Sequence, residues 1–195
     1  MFISHVSTNK QEADGLKYFL EHYGIVGFVA HRDIEPTEEW QTLIETALSS
    51  MDALVALLTP GFHDSSWTNQ EVGFAIGRNR LVIPIQFGLD PHGLIGKYQG
   101  LQGLNKKSFQ LAKDIFAILA VNPLTAIQMG RGAAEQLSNA ESYEAAKGAI
   151  ERLEVCSKLD QESLEKIQKA ADQNPNVKGA WGVPARIDAL IKKFG

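Results

Sequence analysis

Cysteine is nearly missing from this chain: a single residue, Cys156, in 195. A lone thiol makes no internal disulfide, and Cys156 falls within a helical pattern rather than at a metal-ligand spacing, so a disulfide scaffold and a zinc module are both excluded. A reduced compartment suits it. Long apolar runs are missing too: none approaches the roughly 18 to 20 residues needed to span a bilayer, and the N-terminus lacks the basic start, apolar stretch and small-residue cleavage site of a signal peptide. The expectation is a cytoplasmic protein with no membrane partner. Clustered positive charge is also absent. Residues 1–122 carry nine Lys/Arg against 13 Asp/Glu and the remainder ten against ten, which places the whole net charge of −4 in the first part. Without a basic stripe to displace counterions from phosphate, nucleic acid is not an expected partner.

What is present is ordinary for a globular protein, with 44% hydrophobic and 22% charged residues, and wholesale disorder is excluded. Phe2-Ile3-Ser4 reads as the tail of a strand. Thr8 and Asn9 offer caps to an amphipathic helix with Leu16, Phe19, Leu20 and Tyr23 on one face, ended by Gly24. Ile25 to Ala30 reads as a second strand, His31 to Thr37 as a polar loop containing Pro36, and Glu38 to about Ser50 as a helix. The uninterrupted apolar run Asp52 to Leu58, closed by Thr59-Pro60-Gly61, is expected of a strand buried on both faces. A helix from Trp67 to Asn79 and a strand from Leu81 to Phe87 follow. Strands alternating with helices at this spacing imply crossover connections and a parallel sheet. The glycine-rich stretch from Gly88 to Gly103 holds a short helix and an edge strand, and Ser108 to Val121 is a helix with Phe109, Ala112, Ile115, Phe116 and Leu119 on one side.

Beyond Asn122-Pro123 strand signals stop. Helices are expected at about 124–138, 142–159 and 162–173, with a last one opening at Pro184. The second presents Tyr143, Ala146, Ile150, Leu153 and Cys156, and the last Ile187, Leu190, Ile191 and Phe194. The expected organisation is an α/β domain over 1–122 and an all-helical extension over 123–195. The extension could cap the α/β domain, form a small bundle, or join two chains.

In an open parallel sheet, ligands bind beyond the C-terminal ends of the strands, where the strand order reverses. Ser4-His5, the His31 to Thr37 loop and the turn from Thr59 to the helix bearing Trp67 all follow strand runs. Trp67 and Glu71, four residues apart, share a helix face. Trp40, Phe74 and Ile76 read as core residues. His22, His63 and His92 fall at no metal spacing, and no carboxylate cluster accompanies them, so no metal is expected. The glycines at 93, 96, 100 and 103 do not follow a strand as a dinucleotide fingerprint requires, so no resident nucleotide cofactor is expected either.

Four stretches in order resemble the boxes of the Toll/interleukin-1 receptor (TIR) family. Phe2-Ile3-Ser4-His5 is similar to its first box. Arg32-Asp33-Ile34-Glu35-Pro36 resembles the loop after the second strand, with Thr37 where glycine is common. Leu58-Thr59-Pro60-Gly61-Phe62, followed by Ser66-Trp67 and Glu71, resembles the stretch after the third strand, with the Trp-x-x-x-Glu pair of the NAD+-consuming members. Val82-Ile83-Pro84-Ile85 resembles the fourth strand. The resemblance covers about 120 residues. It implies a flavodoxin-like parallel sheet; only Met1 precedes Phe2 here, so either the first strand is stunted or the chain has lost its start.

The resemblance further implies an NAD+ glycohydrolase or cyclase of the bacterial TIR type, with NAD+ as substrate, acting in antiphage defence. Glu71 would be the catalytic residue. Ser4, His5 and Trp67 would shape the nicotinamide-riboside pocket, Trp67 packing against Glu71, and Arg32 and Asp33 would lie in the gating loop. Self-association through TIR–TIR contacts and a downstream effector responding to a nucleotide product are the implied partners. Whether water or the adenine of the same molecule attacks decides between hydrolysis and cyclisation. The competing reading is a non-catalytic TIR interaction module, with the helical extension as its dimerising element.

Overall fold

The computed structural model describes residues 1–30 and 39–195, and divides into two compact units, Met1–Ile115 and Phe116–Gly195. The division falls within the helix Ser108–Val121.

In the first unit, β1 (Phe2–Ser4), β2 (Ala53–Leu58), β3 (Leu81–Gln86) and β4 (Leu101–Gln102) form a parallel sheet in the order β1-β2-β3-β4. Ser4 pairs with Ala56, and Leu58 with Gln86. The expected strand at Ile25 to Ala30 contracts to a single parallel bridge, Phe2 to Phe28, outside β1. Its residues still alternate, with Ile25, Gly27 and Val29 buried and Val26 80% exposed, as on an edge strand. The same β1 pairs through all three of its residues with β2, so the short ladder belongs to the Phe28 side. Ile3 N–H donates to Phe28 O and Phe28 N–H to Met1 O. Across the sheet the order is therefore Phe28 segment, β1, β2, β3, β4, the flavodoxin-like arrangement whose direction of winding reverses between β1 and β2.

Helices cover both faces. On one, α2 (Trp40–Ser50) and α3 (Ser66–Gly77) bring Ile44, Leu48, Val72 and Ala75 against Phe2, Leu54, Ala56, Leu58 and Val82. The period of two in the strands turns Ile3, Val55, Leu57, Ile83 and Ile85 the other way, also buried. The helices α1 (Lys10–Glu21) and α4 (Ser108–Val121) supply Leu16, Leu20, Leu111 and Ile115 there. They pack closely at Gly15, where a Cβ would meet Ser108 Oγ at 2.8 Å, a contact that rotation of that hydroxyl relieves. Phe109 is 48% exposed, its ring meeting Phe19 edge-on rather than joining the buried face. The Asn9 side chain makes no cap bond to α1, which is entered instead through a 3₁₀ turn, Ser7–Asn9, while Gly24 is left-handed at φ +72°.

The second unit is helical: α5 (Ala126–Ser138), α6 (Tyr143–Val155), α7 (Gln161–Gln173), the short α8 (Pro175–Gly179) and α9 (Val183–Phe194). Here α5 packs against α6 and α7, and α9 against the same two. The buried faces hold Ala133, Leu137, Ala149, Ile150, Leu153, Ile167, Ile187 and Leu190, while Tyr143 is 55% exposed rather than part of the core. Ser142, Asp160 and Asn174 each accept a backbone N–H at a helix start, the expected work of an N-cap. Cys156 is buried, and burial pushes its thiol up to about 11, which makes it inert. Among the described residues no single helix is long and apolar enough to cross a membrane.

Candidate active site

Two sequence-distant residues meet at the reversal point. Ser4 is the last residue of β1, and Glu71 lies on α3, which follows β2 on the same face of the sheet. Ser4 Oγ donates to Glu71 Oε2 across 2.5 Å, with 67 residues between them in sequence. Both are buried: Ser4 is 1% and Glu71 7% exposed. No cation among the described residues pairs with Glu71; its neighbours on the helix, Val72 and Ala75, are core. A carboxylate taken out of water without a counter-charge favours its neutral form. Burial accordingly pushes the Glu71 carboxyl up to about 7, and the Ser4 hydrogen bond, which favours the anion, offsets only part of that. The result is an acid that titrates near neutrality, poised to exist in either state, at the C-terminal edge of a parallel sheet.

The local sequence explains how α3 holds Glu71 there. The turn after β2 folds back on the helix start: Ser65 Oγ accepts from Thr68 N–H, Thr68 Oγ1 donates to Phe62 O at 2.5 Å, and Asn69 Nδ2 donates to His63 O at 2.8 Å. Thr68, 1% exposed, and buried Phe62 thus lock the helix in register, so Glu71 arrives one turn later facing Ser4. Neither Thr68 nor Asn69 stood out in the sequence, where the signal was an ordinary Ser/Thr/Asn helix start. Thr59, closing β2, is 5% exposed, and its hydroxyl has no partner among the described residues.

Trp67 does sit one turn before Glu71, but its ring partner is Trp40, at 4.8 Å between centroids and 69° between planes. Both indoles are partly open, Trp40 at 45% and Trp67 at 40%. This corrects the reading of Trp40 as core: α2 begins at that residue, so its side chain stands at the helix end beyond the apolar face formed by Ile44 and Leu48. Phe74 and Ile76 pack against the core as partly buried residues. His5 follows Ser4 with its Nδ1 3.2 Å from Ile3 O and is half-buried. Arg32 and Asp33 lie outside the described residues. His63 and His92 stack at 3.5 Å, joining the turn after β2 to the loop after β3.

The winding and its reversal define a parallel α/β domain of the flavodoxin-like type, with the Ser4–Glu71 pair at the reversal point. The chain belongs to the TIR family: the model described as "TIR domain" matches residues 1–114. It is similar to a protein of Brachypodium distachyon named "Probable 2' cyclic ADP-D-ribose synthase BdTIR", 26% identical over 97 residues, 49% of this chain. The match covers 43% of that relative's length. Among solved structures it is similar to the TIR domain of the Toll-related receptor TRR-2 of Hydra magnipapillata, at 19% identity and a TM-score of 0.46, covering 60% of this chain and 88% of that one.

Proposed function

We propose that this protein cleaves the nicotinamide–ribose bond of NAD+, releasing ADP-ribose or a cyclic isomer of it, with Glu71 as the catalytic residue. The observation that carries the reading is the Glu71 carboxyl, buried, without a cation among the described residues and hydrogen-bonded through one oxygen to Ser4. A docking module has no use for an acid held at this cost, whereas a glycosyl-transfer enzyme has a direct one. The similarity to a protein named as a cyclic ADP-ribose synthase supports the same chemistry.

The chemistry asks little of the protein. Nicotinamide leaves a cationic pyridinium as a neutral molecule, taking the bonding pair onto its ring nitrogen, so no acid is needed for the leaving group. One carboxylate suffices, unlike ordinary glycoside hydrolysis with its two. As the bond breaks, positive charge develops at the anomeric carbon and ring oxygen. The ionised Glu71 would stabilise it and accept hydrogen bonds from the ribose hydroxyls. Ser4 fixes Oε2, leaving Oε1, which accepts from none of the described residues, to face the sugar. Water then attacks the anomeric carbon and loses a proton, giving ADP-ribose, or a nucleophile of the same dinucleotide does so and closes a ring. NAD+ is consumed as substrate. His5 and Trp67 would line the riboside end, and Arg32 and Asp33 would gate entry.

By family analogy, the reading places the protein in bacterial antiphage defence as a generator of a nucleotide signal read by an effector, with self-association completing the site. The test is incubation of concentrated protein with NAD+ and chromatography of the products. Nicotinamide should appear in step with ADP-ribose or a cyclic form, and Glu71→Ala should remove it while circular dichroism stays unchanged. Absence of nicotinamide release from the wild type at every concentration and with added trigger extracts would leave the non-catalytic interaction module as the better reading.

A further inference from the structure

The Trp40–Trp67 contact joins two helices at the candidate site, and only Trp67 belongs to a motif. The two rings meet edge to face, 4.8 Å apart at 69°, a geometry in which the electropositive rim of one indole meets the electron-rich face of the other. Such a pair fixes the tilt of both rings. Yet neither is used up by the core, since about two-fifths of each remains open. An aromatic pair left two-fifths open, one helical turn from a sequestered carboxyl, offers a planar ligand an indole face and an indole edge together.

We propose that Trp40 is a positioning residue: it locks Trp67 so that the two indoles form a fixed aromatic corner beside Glu71, and this corner receives a planar heteroaromatic base of the dinucleotide. The inference rests on the NAD+-cleaving reading for its substrate, but not for the corner itself. A flat base gains from such a corner by stacking, and a cationic pyridinium gains further from the indole face. Pre-set rings also lose less freedom on binding, so the effect of Trp40 belongs to substrate binding more than to the bond-breaking step. Trp40 stands at the first residue of α2, 45% exposed and outside the buried cluster formed by Ile44 and Leu48, so replacing it spares that core.

The test uses the full chain carrying Trp181→Phe, which removes the 92%-exposed third tryptophan and leaves only the pair to report. Trp40→Leu should erase the near-ultraviolet circular dichroism of the coupled indoles, and Trp40→Phe, which restores an edge-to-face partner for Trp67, should recover binding. In a Glu71→Gln background, where substrate is not consumed, calorimetry with NAD+, ADP-ribose and nicotinamide mononucleotide reads affinity directly. Trp40→Leu should weaken NAD+ by about tenfold. A parallel loss for the mononucleotide assigns the corner to the pyridinium, and a parallel loss for ADP-ribose assigns it to adenine. In the active enzyme the same substitution should raise KM by that factor with kcat within about threefold. Unchanged affinity for all three ligands would overturn the proposal, as would a fall in kcat at constant KM. Trp40-dependent binding of NAD+ by a wild type that releases no nicotinamide would sink the catalytic reading and leave the corner standing.

Discussion

Both units pair charges at the surface, the sheet unit through Lys106 and Asp114, but only the sheet unit is seen to bury a carboxyl among its described residues without a counter-charge. In the helical unit the charged side chains that ordinarily stabilise a fold are paired at the surface: Arg131 with Asp160 and Glu162, Lys166 with Glu135, and Arg186 with Glu154. Asp160 serves twice, capping α7 through Ser163 N–H and meeting Arg131, and its carboxyl is pulled down to about 2, chiefly by the hydrogen bond from the Ser163 hydroxyl. In the sheet unit, Glu71 is buried with a hydroxyl for company and its carboxyl is pushed the other way. One unit uses its carboxylates to hold structure together. The other holds a carboxylate against its preference, and a fold retains such a group when the chemistry of a site requires it.

That contrast is sharpest when Glu71 is removed. Glu71→Ala should lower nicotinamide release by about 10³-fold, the scale on which loss of a single charge-stabilising group is felt. Activity and stability should then part company, with Glu71→Gln the informative variant. The folded-state value near 7 lies above the ordinary 4.5, so the stabilising contribution of the protonated form is complete below the lower value. It is lost as pH rises through the upper one. At pH 8 the ionised wild type should therefore be less stable than Glu71→Gln by something on the order of 3 kcal/mol, while the two should converge near pH 4. Urea unfolding at the two pH values checks it. A wild type as stable as the variant at pH 8 would mean that the carboxylate is well solvated, and the comparison between units would dissolve.

A smaller effect concerns rate against pH. If the anion is the working form, kcat/KM should rise about tenfold between pH 6 and pH 8, centred near the Glu71 value. Ser4→Ala removes the hydrogen bond that favours the anion, so the profile should move to higher pH. A shift in the opposite direction, or a flat profile, would show that Ser4 does not act through Glu71.

How much of this was legible beforehand follows from which interactions are local. The buried strands at Ala53–Leu58 and Leu81–Gln86 announced themselves because strands covered on both faces are apolar throughout. Ser108–Val121 is where amphipathic spacing put it. Glu71 and Trp67 were found through the spacing of a motif. The Ser4–Glu71 bond was not visible, since it joins residues 67 apart and leaves no periodic trace. Residue type misled in three places. Trp40, Phe109 and Tyr143 are large and apolar, yet each is 45–55% exposed, because each stands in the first turn of its helix. The strand at Ile25 to Ala30 kept its alternation of burial but pairs with β1 through one bridge alone among the described residues.

The least effect is expected in the helical unit, and it tests whether its ion pairs deserve the structural role assigned to them. Asp160→Ala removes both a cap and an ion pair, and should cost about 1 kcal/mol, most of it from the cap, whose backbone acceptor role is lost at the start of α7. Arg131→Ala removes only the pair. Arg131 is 53% exposed on its side chain, so solvent and salt screen the attraction, and the loss should be smaller than for Asp160→Ala, shrinking further in high salt. Arg186→Ala, which breaks two short hydrogen bonds to Glu154 from a side chain only 32% exposed, should fall between them. Thermal unfolding of the three variants at low and high salt separates these terms. If Arg131→Ala cost as much as Asp160→Ala, the pairing rather than the cap would be what secures α7, and the surface network would have to be counted as a genuine element of the fold.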